Sequence, residues 1–141
     1  MPSRALADLH PTVAEKARAL IELCKREGVD LLITSTYRSF EEQAKLYAMG
    51  RTAPGNVVTN AKPGSSWHNY GLAFDVVPLV NGKAVWDTNM WPLIGMLGES
   101  LGLTWGGRWK KFKDLPHFEH HPGLTLAEAR RRKAQGEALI A

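Results

Sequence analysis

The chain has 141 residues, 44% hydrophobic and 23% charged, a length and balance that allow roughly 68% of the unfolded chain's surface to be buried and that exclude disordered and fibrous classes. Its longest apolar stretch, Gly71 to Val80, is broken by Asp75 and Pro78 and falls far short of the ~18 residues of a membrane span. Eighteen basic against fourteen acidic side chains leave a formal charge of +4, gathered in two patches, Arg108–Lys113 and Arg130–Lys133, that suit an anionic polymer.

Met1 to Leu9 carries Arg4 and Asp8 and no apolar run of leader length, so synthesis in a cytoplasm is the expectation. Thr12 with Glu15 at the capping-box offset predicts a helix whose apolar face, Val13, Ala17, Leu20, Ile21 and Cys24, ends at Gly28. Cys24, the one cysteine, excludes an internal disulfide or a Cys-rich metal cluster and reads as a core thiol. Val29 to Thr34 is β-rich and delivers Tyr37 and Arg38 to a second capping box, Ser39 and Glu42, which opens a helix ending near Gly50.

Residues 51–66 hold Pro54, Gly55, Asn56, Asn60, Pro63 and Gly64 and predict a loop of functional length. Leu72 to Val77 reads as a strand, and Asn81-Gly82 between Leu79-Val80 and Ala84-Val85 as a hairpin turn. Pro92 suits the first turn of a helix running to about Leu101, Phe118 to His120 a short strand, and Thr125 with Glu128 a helix from Leu126 to Ile140. The order of elements, with no internal repeat or dividing linker, predicts one α+β domain over 1–141, with its core at about 11–121 and a basic C-terminal helix at about 125–141.

A serine hydrolase would need a Gly-x-Ser-x-Gly elbow, which is absent, and the lone cysteine sits on a helix core face, so nucleophilic catalysis lacks its residue. Four of five histidines fall in two groups that also hold carboxylates: His68 with Asp75, and Asp114, His117, Glu119, His120 and His121. Two imidazoles and a carboxylate suit zinc, and a fourth position left to water makes such a site catalytic. If Pro116 to His121 is extended, His117 and His121 share one face and His120 takes the other. Asp114, three residues before His117, is then placed as a base rather than a ligand. Surface histidines with a carboxylate cap remain the alternative on residue types alone.

Ser66-Trp67-His68-Asn69-Tyr70-Gly71-Leu72-Ala73-Phe74-Asp75 fits every fixed position of the Ser-x-His-x-x-Gly-x-Ala-x-Asp signature of the M15 zinc peptidases, which include D-Ala-D-Ala carboxypeptidases, VanX-type dipeptidases and phage L-alanyl-D-glutamate endolysins. The resemblance continues through Tyr37-Arg38-Ser39, Gln43, Trp105-Gly106-Gly107 and Asp114-Leu115-Pro116-His117-Phe118-Glu119, and looks most like the phage endolysin branch of the T5 lysin type. It implies a small antiparallel sheet with flanking helices, as in the Hedgehog and DD-peptidase folds. It implies Zn2+ held by His68, Asp75 and His117, Asp114 as catalytic acid or base, Arg38 on the substrate carbonyl or carboxylate, Ser66 near the substrate, and Gln43 on the helix behind that arginine, for substrate binding or equally for packing. His120 and His121 match no functional position. Many relatives of this branch carry an acid where Arg108 stands, which puts a calcium or substrate role there in doubt.

The activity so implied is cleavage of the L-Ala-D-Glu bond in the peptidoglycan stem peptide, by a monomer with no nucleic-acid partner, made in the host cytoplasm and released to the wall. A D-Ala-D-Ala carboxypeptidase or dipeptidase of the same family is the alternative. A non-catalytic module binding zinc or a polyanion is the alternative of another class. The basic C-terminal helix is expected either to dock on the domain or to adhere to an anionic outer-membrane or wall polymer.

Overall fold

The structure, a computed structural model, describes residues 2–141. Among them are four α-helices, α1 (Pro11–Arg26), α2 (Phe40–Ala48), α3 (Trp91–Ser100) and α4 (Leu126–Gln135), and five strands, β1 (Asp30–Ser35), β2 (Ala73–Val80), β3 (Lys83–Ala84), β4 (Thr104–Trp105) and β5 (His117–Glu119). All strand pairs are antiparallel, in the order β1-β2-β5-β4 with β3 folded back on the end of β2. The α+β class and the small antiparallel sheet expected from the sequence are present. No helix of the described residues is long and apolar enough to cross a membrane.

Local signals fixed most boundaries. Ser39 and Glu42 form the reciprocal capping box of α2, and Asn81 and Gly82 both take the positive φ that a two-residue hairpin requires, 53° and 77°. Two expectations moved. The first helix is capped by His10, whose ring accepts from the Thr12 N–H, not by Thr12, because Pro11 fits the first helical position, where its missing N–H costs nothing. The C-terminal helix ends at Gln135 rather than Ile140, since Gly136 turns into the left-handed region at φ 69°; Leu139 and Ile140 pack back against the core beyond the helix end.

The pleat of the sheet divides its side chains. On one face Phe74 and Phe118, paired across β2 and β5 with rings 5.7 Å apart, join Val76 and Trp105 in contact with the apolar faces of α1 and α3. On the other face stand Asp75, His117 and Glu119, with Asp75 directly opposite His117. Cys24 is buried in α1, where desolvation raises its thiol to about 11, as expected of a core residue.

Gly95 and Gly98 let α3 lie close to the sheet: a Cβ at Gly98 would collide with the Phe118 ring and one at Gly95 with the Trp105 indole. Gly98→Ala is therefore expected to destabilise the protein by about 1–3 kcal/mol through overpacking, although alanine is the better helix former. Urea denaturation measures it, and an unchanged midpoint would show that Phe118 yields without cost.

Candidate metal and catalytic site

His68 lies in a single 3-10 turn, Trp67–Tyr70, capped by Ser66, whose hydroxyl accepts from the His68 N–H. Gly71 ends the turn at φ 68° and its Cα packs against the backbone of His10, where a side chain would be both strained and crowded. The His68 Nδ1 lies 2.8 Å from the Thr36 carbonyl in a buried contact. A carbonyl only accepts, so Nδ1 carries a proton, and in the neutral ring Nε2 is the bare nitrogen. That Nε2 faces Asp75 Oδ1 at 3.3 Å.

His117 reaches the same oxygen from β5: its Nδ1 is 3.1 Å from Asp75 Oδ1, while its Nε2 lies 2.7 Å from Glu119 Oε2. In the neutral His117 ring, a proton kept on Nε2 and donated in a hydrogen bond to Glu119 leaves Nδ1 bare as well. Three lone-pair donors then converge, with one atom of each of His68, Asp75 and His117 within 4.8 Å of the others. Such a cluster repels itself unless a proton or a cation joins it. Ligands at ~2.0–2.1 Å from a tetrahedral zinc stand about 3.4 Å apart, close to the spacings found, so the donor set and its dimensions fit that ion. Without a cation the proton takes its place: burial pushes His117 down, but its hydrogen bonds to Asp75 and Glu119 outweigh burial and raise it to about 10. Asp75 is correspondingly held far below the usual carboxylate range, burial being overcome by its two histidines.

Asp114 lies at the edge of this cluster, its Oδ2 3.9 Å from His117 Nδ1 and its side chain half-exposed. Burial of part of the carboxyl, helped by the negative charge of Asp75, raises its pKa against the pull of His117, His68 and Arg38. The loop that carries it folds onto Gly106, which accepts from the Asp114 N–H at 3.1 Å; a Cβ at Gly106 would strike the Asp114 carbonyl. Arg108 turns away from the cluster and pairs with Glu99 on α3 through Nε and Nη2.

Arg38 enters from the β1–α2 junction, beside the irregularity in β1 between Ile33 and Ser35. Its Nη1 donates to Gln43 Oε1 at 3.0 Å and its Nη2 to Ser35 Oγ at 3.3 Å, while its buried Nε has no acceptor in the protein. Gln43, open in the sequence to substrate binding or packing, is fully buried and both ends of its amide are used, Nε2 donating to the Ala61 carbonyl. It holds Arg38 and the loop instead of meeting a ligand. Asn69, which drew no attention in the sequence, is a second fastener: it is fully buried, accepts from the Gly64 N–H and donates to the Arg38 carbonyl.

His68, Asp75, His117 and Glu119 floor a cleft of about 830 Å³. One wall is the loop segment Val57–Ala61, the other Trp109 and Phe112–Asp114, and Arg38, Ser66 and Trp67 also line it. Val57, Val58 and Phe112 are exposed on its lips, Phe112 with a φ of 54°. The helix α4 braces this region from behind: Arg130 lies against Gly64, and Lys133 sits over the rings of Tyr37 and Phe40.

The family model described as VanY, D-alanyl-D-alanine carboxypeptidase, matches residues 6–91. The peptidoglycan L-alanyl-D-glutamate endopeptidase CwlK of Bacillus subtilis is 43% identical over 126 residues, covering 82% of this chain and 75% of that protein. The L-alanyl-D-glutamate peptidase of Listeria phage A118 is 30% identical over 125 residues, and the match covers 83% of this chain and 41% of the phage protein. Among solved structures, a vancomycin-resistance D,D-pentapeptidase VanY in complex with Zn(II) superposes with a TM-score of 0.61 at 16% identity, covering 93% of this chain and 81% of the other, a likeness of fold.

Gln43→Leu is expected to destabilise the protein by about 1–3 kcal/mol, because it removes the partner of the Ala61 carbonyl and of one Arg38 N–H in a buried setting. Chemical denaturation measures the loss, and hydrogen exchange should quicken in residues 59–66. Native stability and exchange would remove Gln43 from the role of fastener.

Proposed function

The chain belongs to the VanY family of M15 peptidases, and from that membership we propose that it is a peptidoglycan hydrolase cutting the stem peptide between L-Ala and D-Glu. Within a family described by its carboxypeptidases, the choice of bond rests on the 43% identical endopeptidase and on the phage peptidase. The single observation behind the chemistry is the convergence of His68 Nε2, Asp75 Oδ1 and His117 Nδ1. These three residues would hold Zn2+, which when bound supplies a Lewis acid for the scissile carbonyl and for water.

The chain's own groups divide the remaining work. Asp114 takes a proton from the attacking water and returns it to the nitrogen of the departing D-Glu, a shuttle favoured by a carboxyl whose pKa partial burial raises above the ordinary aspartate value. Arg38, held at Nη1 and Nη2 by Gln43 and Ser35, donates to the substrate carbonyl or carboxylate as its negative charge grows. Ser66 shapes the cleft wall and keeps His68 in place through its cap. The presence of a base and an oxyanion donor beside the cluster favours catalysis over a purely structural metal module.

The same reading makes the chain a single catalytic domain, monomeric, made in a host cytoplasm and acting on the wall after release. Adhesion to an anionic wall or outer-membrane polymer belongs to it as an accessory, supported by the net charge of +4. Within α4, however, Arg131 pairs with Glu128 and Glu137, Arg132 with Glu128 and the Leu139 carbonyl. Lys110, Lys111 and Lys113 are exposed at the cleft end and are the better candidates for such contact. Wall sedimentation of a triple Lys→Gln variant at low salt tests this: undiminished binding would dismiss those lysines.

Mass spectrometry of digested peptidoglycan tests the reaction. New D-Glu amino termini are expected, and release of free D-Ala instead would reject the endopeptidase reading. Asp114→Asn should retain zinc and lose turnover by about 10²–10⁴-fold, the usual worth of a positioned acid–base group; retained activity would remove Asp114 from the mechanism.

A further inference from the structure

Glu119 is a carboxylate that the reaction does not use, and its burial calls for a reason. It is only 7% exposed, a costly place for a charge unless each oxygen is partnered. Both are: Oε2 lies 2.7 Å from His117 Nε2 and Oε1 2.9 Å from His121 Nε2. A carboxylate placed between two ring nitrogens in this way accepts a hydrogen bond at each oxygen. Positions 117, 119 and 121 share one side of the extended chain, which is why a single carboxylate can bridge both rings.

The chain of contacts continues. The His121 ring lies flat on the Trp67 indole, with centroids 3.8 Å apart and planes 6° from parallel. Trp67 immediately precedes His68 in the 3-10 turn. The supports of the two imidazoles on Asp75 thus meet: the carbonyl of Thr36 fixes the His68 ring, and Glu119, His121 and Trp67 join the ring of His117 to the turn that carries His68.

We propose that Glu119, steadied by His121 stacked on Trp67, is a positioning residue that sets the tautomer and ring angle of His117 and thereby the metal affinity of the site. By drawing the proton to Nε2 it leaves Nδ1 bare toward Asp75, which is the form a metal needs. Replacing an outer partner of this kind costs about 10–100-fold in metal affinity. The inference rests on the zinc reading above.

The test is competition for zinc against a chromophoric chelator, with the absorption spectrum of the cobalt-substituted protein as the signature of ligand geometry. Glu119→Gln offers one acceptor oxygen to two N–H donors and should weaken zinc binding about 10–100-fold while shifting the cobalt bands. His121→Phe keeps the stack on Trp67 but deletes the hydrogen bond, and should weaken binding several-fold; His121→Gln, which can still donate to Glu119, should restore most of it. Thermal unfolding of the metal-free proteins registers any loss of fold separately, and if Glu119→Gln folds poorly the His121 pair decides. Native zinc affinity and cobalt bands in Glu119→Gln and His121→Phe would overturn the inference. A native protein that binds no zinc would overturn the metal reading itself, and this inference with it.

Discussion

One carboxylate oxygen organises the site. Asp75 Oδ1 lies 3.3 Å from Nε2 of His68 and 3.1 Å from Nδ1 of His117, and Asp114 Oδ2 stands 3.9 Å from the latter. Negative charge and bare lone pairs crowded in a largely buried place are unstable without a positive charge between them. Most of the surrounding architecture serves to hold that arrangement: a central strand under Asp75, a short antiparallel partner that sets His117 opposite it, and a capped turn that brings His68 from the far side.

The pleat of the sheet explains how so small a protein carries both a core and a charged site. Along β2, Phe74 and Val76 point to the helices while Asp75 points to the cleft, and along β5 Phe118 points inward while His117 and Glu119 do not. A one-residue slip in the β2–β5 pairing would place the aromatic pair in the cleft and the ligands in the core. The stacking of Phe74 on Phe118, and the close seat of α3 above Phe118 that Gly98 permits, therefore protect the register of the face that carries Asp75 and His117 as well as the stability of the core.

The cleft walls are built differently. The long loop 51–66 has few apolar anchors, and it is tied down by buried polar side chains, Gln43 to Ala61 and Asn69 to Gly64. Both fasteners also grip Arg38, one at the guanidinium and one at the backbone carbonyl. Loop position and arginine position are thus coupled, and the cations of α4 add to this from outside by resting on Gly64, Tyr37 and Phe40. A basic run that in sequence looks like a free surface is here largely spent on contacts within the protein.

The amino-acid sequence by itself determined the elements whose signals are local: the Ser39 capping box, the Asn81-Gly82 turn, the loop at 51–66, and the ten-residue motif that pointed to His68 and Asp75. The Asp114-to-His117 spacing likewise placed a carboxylate beside an imidazole, because three residues of chain limit how far the two can stand apart. Only the tertiary structure decided what depends on residues distant in the chain. That Gln43 is a fastener follows from its burial under a loop 18 positions away, and that Asn69 is one follows from Arg38, 31 positions away. His121 was visible as sharing a face with His117, but the link through Glu119 and the stack on Trp67, which the fold brings against His121 from across the site, were not. Side-chain hydrogen bonds and ring stacking act over a few ångströms of space and leave no periodicity in the sequence, so their partners become known only once the chain has closed on itself.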